Sequence, residues 1–257
     1  MGSVLDAILA ATREECAHLA RELPPEIDHQ PLDVAARLAR APGEPLRLIA
    51  EIKKRSPSAG PLSRTLSVPS RATVYAREGA SMISVLVDRA HFDGGYEDLA
   101  SARRVVDVPL LAKGFTIDEV QIDAARRAGA DAVLLIVRIL DDDALSRLLR
   151  ASRARGLTPI VEVIDEGELT RALAAGADVL GVNARDLATL HMDKERATRV
   201  LAAIPENLVA LWFSGVGKPE EVSALSRTGL DGALIGEALM RQDEPSGLLR
   251  AMVEATR

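Results

Sequence analysis

The sequence Leu48-Ile-Ala-Glu-Ile-Lys-Lys-Arg-Ser-Pro-Ser-Ala-Gly60 begins with the pattern of a strand and ends with that of a loop. Its first residues are apolar at alternate positions, which predicts a β-strand. Glu51 and Lys53 are two residues apart, so both side chains leave the same face of that strand. The basic, Ser/Pro/Gly-rich segment that follows predicts a mobile loop. An acid and a base beside a loop indicate the mouth of an active site, although an exposed edge strand with an incidental ion pair has the same pattern.

Length and charge limit the classes of protein that this chain can belong to. It has 257 residues, of which 47% are hydrophobic, so it can bury a large core. This length fits two modest domains or one α/β barrel, which often reaches about 250 residues. The net charge of −6 and the pI near 5.4 argue against a nucleic-acid-binding protein, which usually presents a basic face.

Cysteine and histidine usage argues against a metal site. The single cysteine, Cys16, excludes an intrachain disulfide and a metal site built from several cysteines. The four histidines are scattered without the spacing of metal ligands. No secretory signal is recognised, and no apolar run reaches the roughly 18 residues that span a bilayer. We therefore expect a soluble cytoplasmic protein with no membrane partner.

From residue 46 onward, apolar runs alternate with helical patterns. The predicted strands begin about 20 to 35 residues apart, which is the size of one βα unit. These strands are 48–52, 82–87, 108–112, 132–137, 158–164, 178–182, 208–213 and 232–235. Helical periodicity predicts helices at 117–128, 142–155, 166–175, 193–203, 219–227 and 245–255. Several of the helices end at a glycine-containing turn, as helix C-termini commonly do.

This alternation predicts a single (β/α)8 barrel domain, or TIM barrel, over residues 1–257, with an N-terminal helical extension at 1–45. The strands are continuous apolar runs, as expected when both faces of a parallel sheet are covered. In the extension, Val4, Ile8 and Leu19 recur at roughly helical spacing. A doubly wound open sheet is the alternative, but no G-x-G-x-x-G follows any predicted strand.

Charged side chains gather where the predicted strands end. In such a barrel the active site lies at the C-terminal ends of the strands, and these positions carry Glu51, Lys53, Lys113, Glu162 and Asn183. Charges are costly to bury unless they are paired or used, so two lysines and two glutamates at one rim indicate general acid–base catalysis. The alternative is a ring of structural salt bridges that closes the barrel.

Aromatic residues also concentrate at the predicted rim. Of the six in the chain, Phe92, Phe115, Trp212 and Phe213 lie at or just past strand ends. This bias indicates an apolar, aromatic group in the ligand. Because side chains alternate along a strand, Trp212 and Phe213 leave opposite faces. We predict that Phe213 faces the barrel interior and that Trp212 packs under the helices.

Two glycine-containing segments are candidates for binding phosphate. Ser214-Gly215 follows the seventh predicted strand, and Gly236-Glu237 opens the helix after the eighth. Backbone N–H groups at such positions can face an anion. The same glycines also fit ordinary turns.

Taken together, these segments resemble the indole-3-glycerol phosphate synthase family over essentially the whole chain, in the family's order and spacing. The first segment, Ile49-Ala-Glu-Ile-Lys-Lys-Arg-Ser-Pro-Ser58, carries the specific motif Ala-Glu-x-Lys-x-x-Ser-Pro-Ser. The other matching segments are Ile83-Ser-Val-Leu86, Phe92-Asp-Gly94, Leu111-Ala-Lys113 with Phe115, Asp131-Ala-Val-Leu-Leu-Ile136, Val161-Glu-Val163, Gly181-Val-Asn183, Arg185-Asp-Leu187, Ser214-Gly215 and Leu234-Ile-Gly236.

The resemblance implies closure of the indole ring of 1-(2-carboxyphenylamino)-1-deoxyribulose 5-phosphate, with loss of carbon dioxide and water. Lys113 matches the general acid of ring closure, and Glu162 matches the acid/base of dehydration. Glu51 and Asn183 match polar supports of the reacting centre, and Lys53 matches a lysine that contacts substrate and phosphate. The implied partner is a phosphorylated aromatic small molecule bound by a monomer, and no metal or organic cofactor is implied.

The resemblance also implies which residues bind the two ends of the substrate. The phosphate would be bound by Lys53, Ser214, Gly215, Gly236 and Glu237. The rest of the substrate would be bound by Ser56, Pro57, Ser58, Phe92, Phe115, Leu134, Arg185 and Leu187. To these we add Phe213 as an aromatic residue of the rim that the family does not share.

The chain departs from the family pattern at several rim positions. Phe213 stands where the family usually has Glu, and Gly114 stands where it usually has Asp. Val87, Ala184 and Gly95 replace the usual Thr, Asn and Ser. These changes leave two other hypotheses open beside the synthase. One is a repurposed or redesigned barrel in which Glu162 or Glu51 abstracts a proton from a flat aromatic compound, as in a Kemp elimination. The other is a barrel that binds a phosphorylated ligand without turnover.

Overall fold

The computed structural model describes residues 4–186 and 189–257. The barrel strands are β1 (Arg47–Ile52), β4 (Met82–Leu86), β5 (Leu110–Lys113), β6 (Ala132–Ile136), β7 (Thr158–Val163), β8 (Val179–Asn183), β9 (Val209–Phe213) and β10 (Gly232–Ile235). These eight parallel strands close into a barrel in the order β1-β10-β9-β8-β7-β6-β5-β4, so the predicted (β/α)8 fold is confirmed. A small separate hairpin is formed by β2 (Arg55–Ser56) and β3 (Gly60–Pro61).

Two helices precede the first strand, and the others follow the strands and cover the barrel from outside. They are α1 (Val4–Leu19), α2 (Val34–Leu38), α3 (Val68–Arg77), α4 (Arg89–Phe92), α5 (Tyr96–Arg103), α6 (Glu119–Arg127), α7 (Asp142–Ala154), α8 (Glu166–Ala174), α9 (Lys194–Ala202), α10 (Pro219–Ser226), α11 (Glu237–Met240) and α12 (Ser246–Glu254). Among the described residues, none of these helices has both the length and the apolarity needed to cross a membrane.

Local sequence signals explain where several helices begin and end. The carboxylates of Asp141 and Asp165 accept the N–H groups of Ala144 and Glu168, both at 2.8 Å, and so cap α7 and α8. After α6, Gly129 adopts a φ of +86°, a left-handed conformation that costs little only for glycine. The predicted glycine-containing turn after this helix is therefore a helix C-terminus of the usual kind.

The strands bury side chains on both of their faces. One apolar cluster fills the barrel and contains Leu111, Leu134 and Phe213, while the larger cluster between strands and helices contains Trp212. The predicted inward direction of Phe213 is confirmed. The Trp212 indole N–H donates to the carbonyl of Ser214 at 2.7 Å, so the outward ring also orders the turn after β9.

The N-terminal extension is anchored at the N-terminal end of the barrel. The Asp131 carboxylate accepts the Leu32 N–H at 2.8 Å and contacts His29 Nε2 at 2.7 Å. Asp231 accepts the Arg40 N–H at 2.8 Å. Val34 of α2 is fully buried in the cluster that fills the barrel. The part of the extension from His29 to Arg40 therefore closes this end of the barrel.

The segment predicted as a plain loop after β1 contains the β2–β3 hairpin, which is a correction to the sequence prediction. Arg55 pairs with Pro61 and Ser56 with Gly60 in an antiparallel ladder. The two strands are too short and too polar to show alternating hydrophobicity. Gly60 adopts a φ of +68°, which allows the reversal.

Candidate active site

A cavity of about 460 Å³ opens at the C-terminal ends of the strands. The predicted site residues that line it are Glu51, Lys53, Ser56, Pro57, Ser58, Phe92, Lys113, Phe115, Leu134, Glu162, Asn183, Arg185, Phe213, Ser214, Gly215, Gly236 and Glu237. The remaining predicted residue, Leu187, lies outside the described residues. Residues from all eight barrel strands or the loops after them therefore meet at one place.

Glu51 and Lys53 form an ion pair on the inner face of β1. Lys53 Nζ lies 2.6 Å from Glu51 Oε1, as their spacing of two residues on one strand allows. Burial raises the pKa of the Glu51 carboxyl, but the ammonium groups of Lys53 and Lys113 lower it by more, so it lies below its usual 4.5. Glu51 is therefore an anion that stabilises positive charge in the cavity.

Glu162 is buried at the inner face of β7, where its side chain is 1% exposed. Its Oε1 accepts the Asn183 Nδ2–H at 3.0 Å. Its Oε2 has no hydrogen-bond partner among the described residues and lies 3.6 Å from Lys113 Nζ. One oxygen of this carboxylate is therefore held in place, while the other has a lone pair available for a hydrogen bond from a ligand.

Asn183 at the end of β8 is held in one orientation by its neighbours. Its Oδ1 accepts the Arg185 N–H at 3.0 Å, so its Nδ2 points to Glu162. The Asn183 carbonyl accepts from Arg196 at 3.2 Å. This amide thus links the carboxylate of Glu162 to the loop that follows β8.

Lys113 ends β5 and extends into the cavity between an anion and an aromatic ring. Its ammonium group lies over the ring of Phe213, 5.6 Å from the ring centroid. Glu162 is the only ion-pair partner that the described part of the chain gives to Lys113. The side chain is 17% exposed, so its ammonium group remains within reach of a ligand.

The opposite wall of the cavity is apolar. The rings of Phe92 and Phe115 are tilted by 38° with their centroids 6.1 Å apart. Leu134 from β6 belongs to the same buried cluster as Phe115, and so does Ile8 from α1. Such a wall suits a flat aromatic group.

Two tight turns form the far end of the cavity. Ser214 and Gly215 both have left-handed φ angles, of 71° and 75°. Gly236 leaves no room for a side chain, because a Cβ there would lie 2.3 Å from Glu51 Oε1. Glu237 Oε1 is 2.8 Å from an Arg241 guanidinium nitrogen, so its negative charge is paired. The backbone in this region can approach an anion closely.

Arg138 fastens the loops after β6, β7 and β8 to one another. Its guanidinium group donates to Glu168 at 2.7 Å, to Asp186 at 3.0 Å and to Asp165 at 3.2 Å. Asp186 follows Arg185 directly, so the ion pairs of Arg138 hold the start of the loop that comes after Asn183. Sequence reasoning missed Arg138 because its three partners are 27 to 48 residues away.

Sequence reasoning also missed several residues that line the cavity. Ile8 comes from α1, and its place in an apolar stripe carries no sign that it faces a site. Lys218 and Arg241 line the end beside the two tight turns. A basic residue after Ser214-Gly215 and an arginine four residues after Glu237 are signals that could have indicated them.

Comparison with known proteins identifies the family. The model of the family described as "Indole-3-glycerol phosphate synthase" matches residues 5–252. An indole-3-glycerol phosphate synthase of Mycobacteroides abscessus is 40% identical, with 99% of this chain and 95% of that protein covered. One of a Nocardioides species is 41% identical, with 97% of this chain and 98% of that protein covered.

Solved structures support the fold alone, because their sequences are distant. The chain matches 3-hexulose-6-phosphate synthase from Salmonella typhimurium with a TM-score of 0.66 at 16% identity, covering 82% of this chain and 98% of that one. It matches thiamine phosphate pyrophosphorylase from Pyrococcus furiosus with a TM-score of 0.62 at 18% identity, covering 82% and 95%. Because the family model and close relatives both span almost the full length, this chain belongs to the indole-3-glycerol phosphate synthase family.

Proposed function

We propose that this chain is a lyase that closes the indole ring of 1-(2-carboxyphenylamino)-1-deoxyribulose 5-phosphate, releasing carbon dioxide and water. Membership of the family gives the reaction. The observation that carries the assignment of residues is the buried Glu162 carboxylate, whose Oε2 accepts no hydrogen bond from the described residues and lies 3.6 Å from Lys113 Nζ. An acid and a base this close, facing one cavity, can serve successive proton transfers on one substrate.

Lys113 is the proposed general acid of ring closure. The ring carbon that bears the carboxylate attacks the ketone carbon of the sugar chain, and negative charge develops on the ketone oxygen. The Lys113 ammonium group donates a proton to that oxygen as the carbon–carbon bond forms. Loss of carbon dioxide then returns the electron pair of the broken carbon–carbon bond to the six-membered ring and restores its aromaticity.

Glu162 is the proposed acid/base of the dehydration step. The hydroxyl group formed from the ketone has to leave as water, and the methylene carbon between that position and the nitrogen has to lose a proton so that the carbon–carbon double bond of the indole forms. A carboxyl group at Oε2 can give its proton to the leaving hydroxyl, and the resulting carboxylate can take the proton from the methylene carbon. Asn183 holds the other oxygen at 3.0 Å and so fixes the direction of Oε2.

The two ends of the substrate are assigned to the two ends of the cavity. The phosphate group is bound by Lys53 and by the backbone of Ser214, Gly215, Gly236 and Glu237. Because the Glu237 carboxylate is paired with Arg241, that residue contributes its N–H group and not its charge. The Glu51 carboxylate holds Lys53 in place. The aromatic ring lies against the apolar wall.

That wall and the loop beside it form the proposed ring-binding set. It comprises Ser56, Pro57, Ser58, Phe92, Phe115 and Leu134. Arg185, which follows β8, is proposed to contact the substrate as well. The Ser56 hydroxyl accepts the Ala59 N–H at 3.1 Å, which keeps the β2–β3 turn compact. We further propose that the whole chain works as one barrel domain and as a monomer, since the strands and loops of a single barrel surround the cavity. No specific observation favours the proton-abstraction or ligand-binding hypotheses over the synthase.

The test is to incubate the protein with 1-(2-carboxyphenylamino)-1-deoxyribulose 5-phosphate and to measure turnover by the fluorescence of the indole product. Wild-type protein should turn it over, and the variants Lys113→Met and Glu162→Gln should lose about 100-fold or more in kcat, as loss of a general acid or base does. Glu254→Gln, on the exposed surface of α12, is the matched control and should match wild type. Binding of substrate without product by the wild-type protein would overturn the proposal.

A further inference from the structure

The ring of Phe213 occupies the place where a side chain of Gly181 would lie. A Cβ on Gly181 would be 2.4 Å from Cε2 and 2.6 Å from Cζ of that ring, far closer than atoms can approach. Phe213 itself is 1% exposed. Because Gly181 has no side chain, the Phe213 ring can lie against β8 at this position.

The register of the strands places this ring beside Glu162. Gly181 is the direct partner of Glu162 on β7, and Asn183 is the direct partner of Phe213 on β9. Paired residues on adjacent parallel strands point to the same face of the sheet, so the space above Gly181 adjoins the Glu162 side chain. The ring thus fills the gap next to the carboxylate.

Lys113 contacts both the Phe213 ring and the Glu162 carboxylate. Its ammonium group lies over the face of the Phe213 ring, 5.6 Å from the centroid, and 3.6 Å from Glu162 Oε2. The face of an aromatic ring is electron-rich and attracts a cation, more so where water is excluded. The ring and the carboxylate therefore hold the same ammonium group from two directions.

We propose that Phe213 is a positioning residue, whose ring, seated over Gly181, holds the Lys113 ammonium group beside Glu162 and keeps water out of the gap between them. The catalytic part of this inference rests on the proposed function, in which Lys113 and Glu162 transfer protons. The position of the lysine does not depend on it and can be measured separately.

The first experiment changes the ring without changing the fold. Phe213→Leu keeps an apolar side chain but removes the π face, and we expect about a tenfold loss in kcat with KM changed less than twofold. Incorporation of 3,4,5-trifluorophenylalanine at position 213 keeps the shape of the ring, but its fluorine atoms withdraw electrons from the ring face. This substitution should also lower kcat. Full activity of the fluorinated protein would show that the ring only fills space and would overturn the proposal.

The second experiment tests the contact between the Phe213 ring and Gly181 with a double-mutant cycle. Gly181→Ala should displace the Phe213 ring and lower kcat in the wild-type background, since the clash is with a rigid ring. In the Phe213→Leu background the same substitution should cost little more, because the leucine can turn away. Equal losses in both backgrounds would overturn the coupling of Gly181 to Lys113 through the ring.

The third experiment is independent of turnover. Protons of the Lys113 Cε methylene, close to the face of a ring, should resonate upfield of those of the other lysines in NMR spectra. Phe213→Leu should move the Lys113 signal to the position of the others while leaving Lys54, which pairs with Asp98, unchanged. An unchanged Lys113 signal would overturn the proposal. An upfield signal in a protein without turnover would support the placement and count against the proposed function instead.

Discussion

Gly236 illustrates how much of this site depends on a single missing methyl group. The Glu51–Lys53 pair lies directly beneath it, and a Cβ at this position would be 2.3 Å from Glu51 Oε1 and 2.9 Å from Lys53 Nζ. The lysine end is flexible, but Glu51 is only 4% exposed and has little room to move. Any side chain on residue 236 has to separate the pair.

Gly236→Ala should therefore weaken both binding and folding. We expect KM to rise about tenfold, because Lys53 loses its orientation, and the free energy of unfolding to fall by about 1–3 kcal/mol, as overpacking usually costs. Steady-state kinetics and urea unfolding measure the two effects. Gly229→Ala is the matched control, since a Cβ there meets nothing within 4 Å. An unchanged KM would show that the pair does not contribute to substrate binding.

Helix α1 carries a carboxyl group in an unusual environment. Burial raises the pKa of Glu15 to about 7, and the negative charges of Asp88 and Glu97 add to this while Arg89 opposes it. The folded-state pKa lies above the unfolded value of 4.5. Between these pH values the folded protein holds a proton that the unfolded chain has released, so stability falls as the pH rises through this window.

Glu15→Gln should remove that pH dependence. Because partial exposure to solvent screens the effect, we expect the variant to exceed wild type by about 1–2 kcal/mol in the free energy of unfolding at about pH 8. The difference should close toward about pH 5, where the wild-type carboxyl group is protonated in the folded state. Urea unfolding across this range is the measurement, with the exposed neighbour Glu14→Gln as control. A constant difference at all pH values would contradict the assignment.

On the scale of the whole molecule, Asp131 joins parts of the chain that are far apart in sequence. Besides the extension, its carboxylate accepts from Arg103 Nη1 at 3.0 Å and from the Leu110 N–H at 2.7 Å. The Asp131 side chain is fully buried and that of Arg103 is 4% exposed. The extension, α5 and β5 therefore depend on one buried anion.

Asp131→Ala should be strongly destabilising, because it leaves the Arg103 guanidinium group buried without its anion. The expected loss is about 3–5 kcal/mol in the free energy of unfolding, measured in urea. Asp143→Ala, on the exposed surface of α7, is the control and should change stability by less than about 0.5 kcal/mol. Because Asp131 lies at the opposite end of the barrel from the cavity, the folded variant should keep the wild-type kcat.

Strand positions could be predicted well because hydrophobic runs are a local property of the chain. Each predicted barrel strand lies within two residues of the observed one, from β1 at Arg47–Ile52 to β10 at Gly232–Ile235. The β2–β3 hairpin was missed, since two-residue strands leave no periodic signal. The short helices α4 and α11 were missed for the same reason.

The residues at the rim could be named from the sequence, because a barrel fold sends every strand end to the same side. Lys113 and Glu162 are 49 positions apart in the printed chain, yet both follow from the strand pattern. Ile8, Arg138 and Arg241 could not be named this way. Each reaches the rim from a helix or a turn, and the direction of its side chain depends on how that element packs.

Hydrophobic periodicity and the position of charged residues at strand ends are written in the chain itself, so the barrel and its ring of lysines and glutamates follow without coordinates. The roles of individual atoms do not. One oxygen of Glu162 accepts no hydrogen bond from the described residues, and Phe213 lies over Gly181 beneath Lys113. Both features depend on strand register and on the packing of residues from different strands. These are contacts between distant parts of the chain, and they exist only once the barrel has closed.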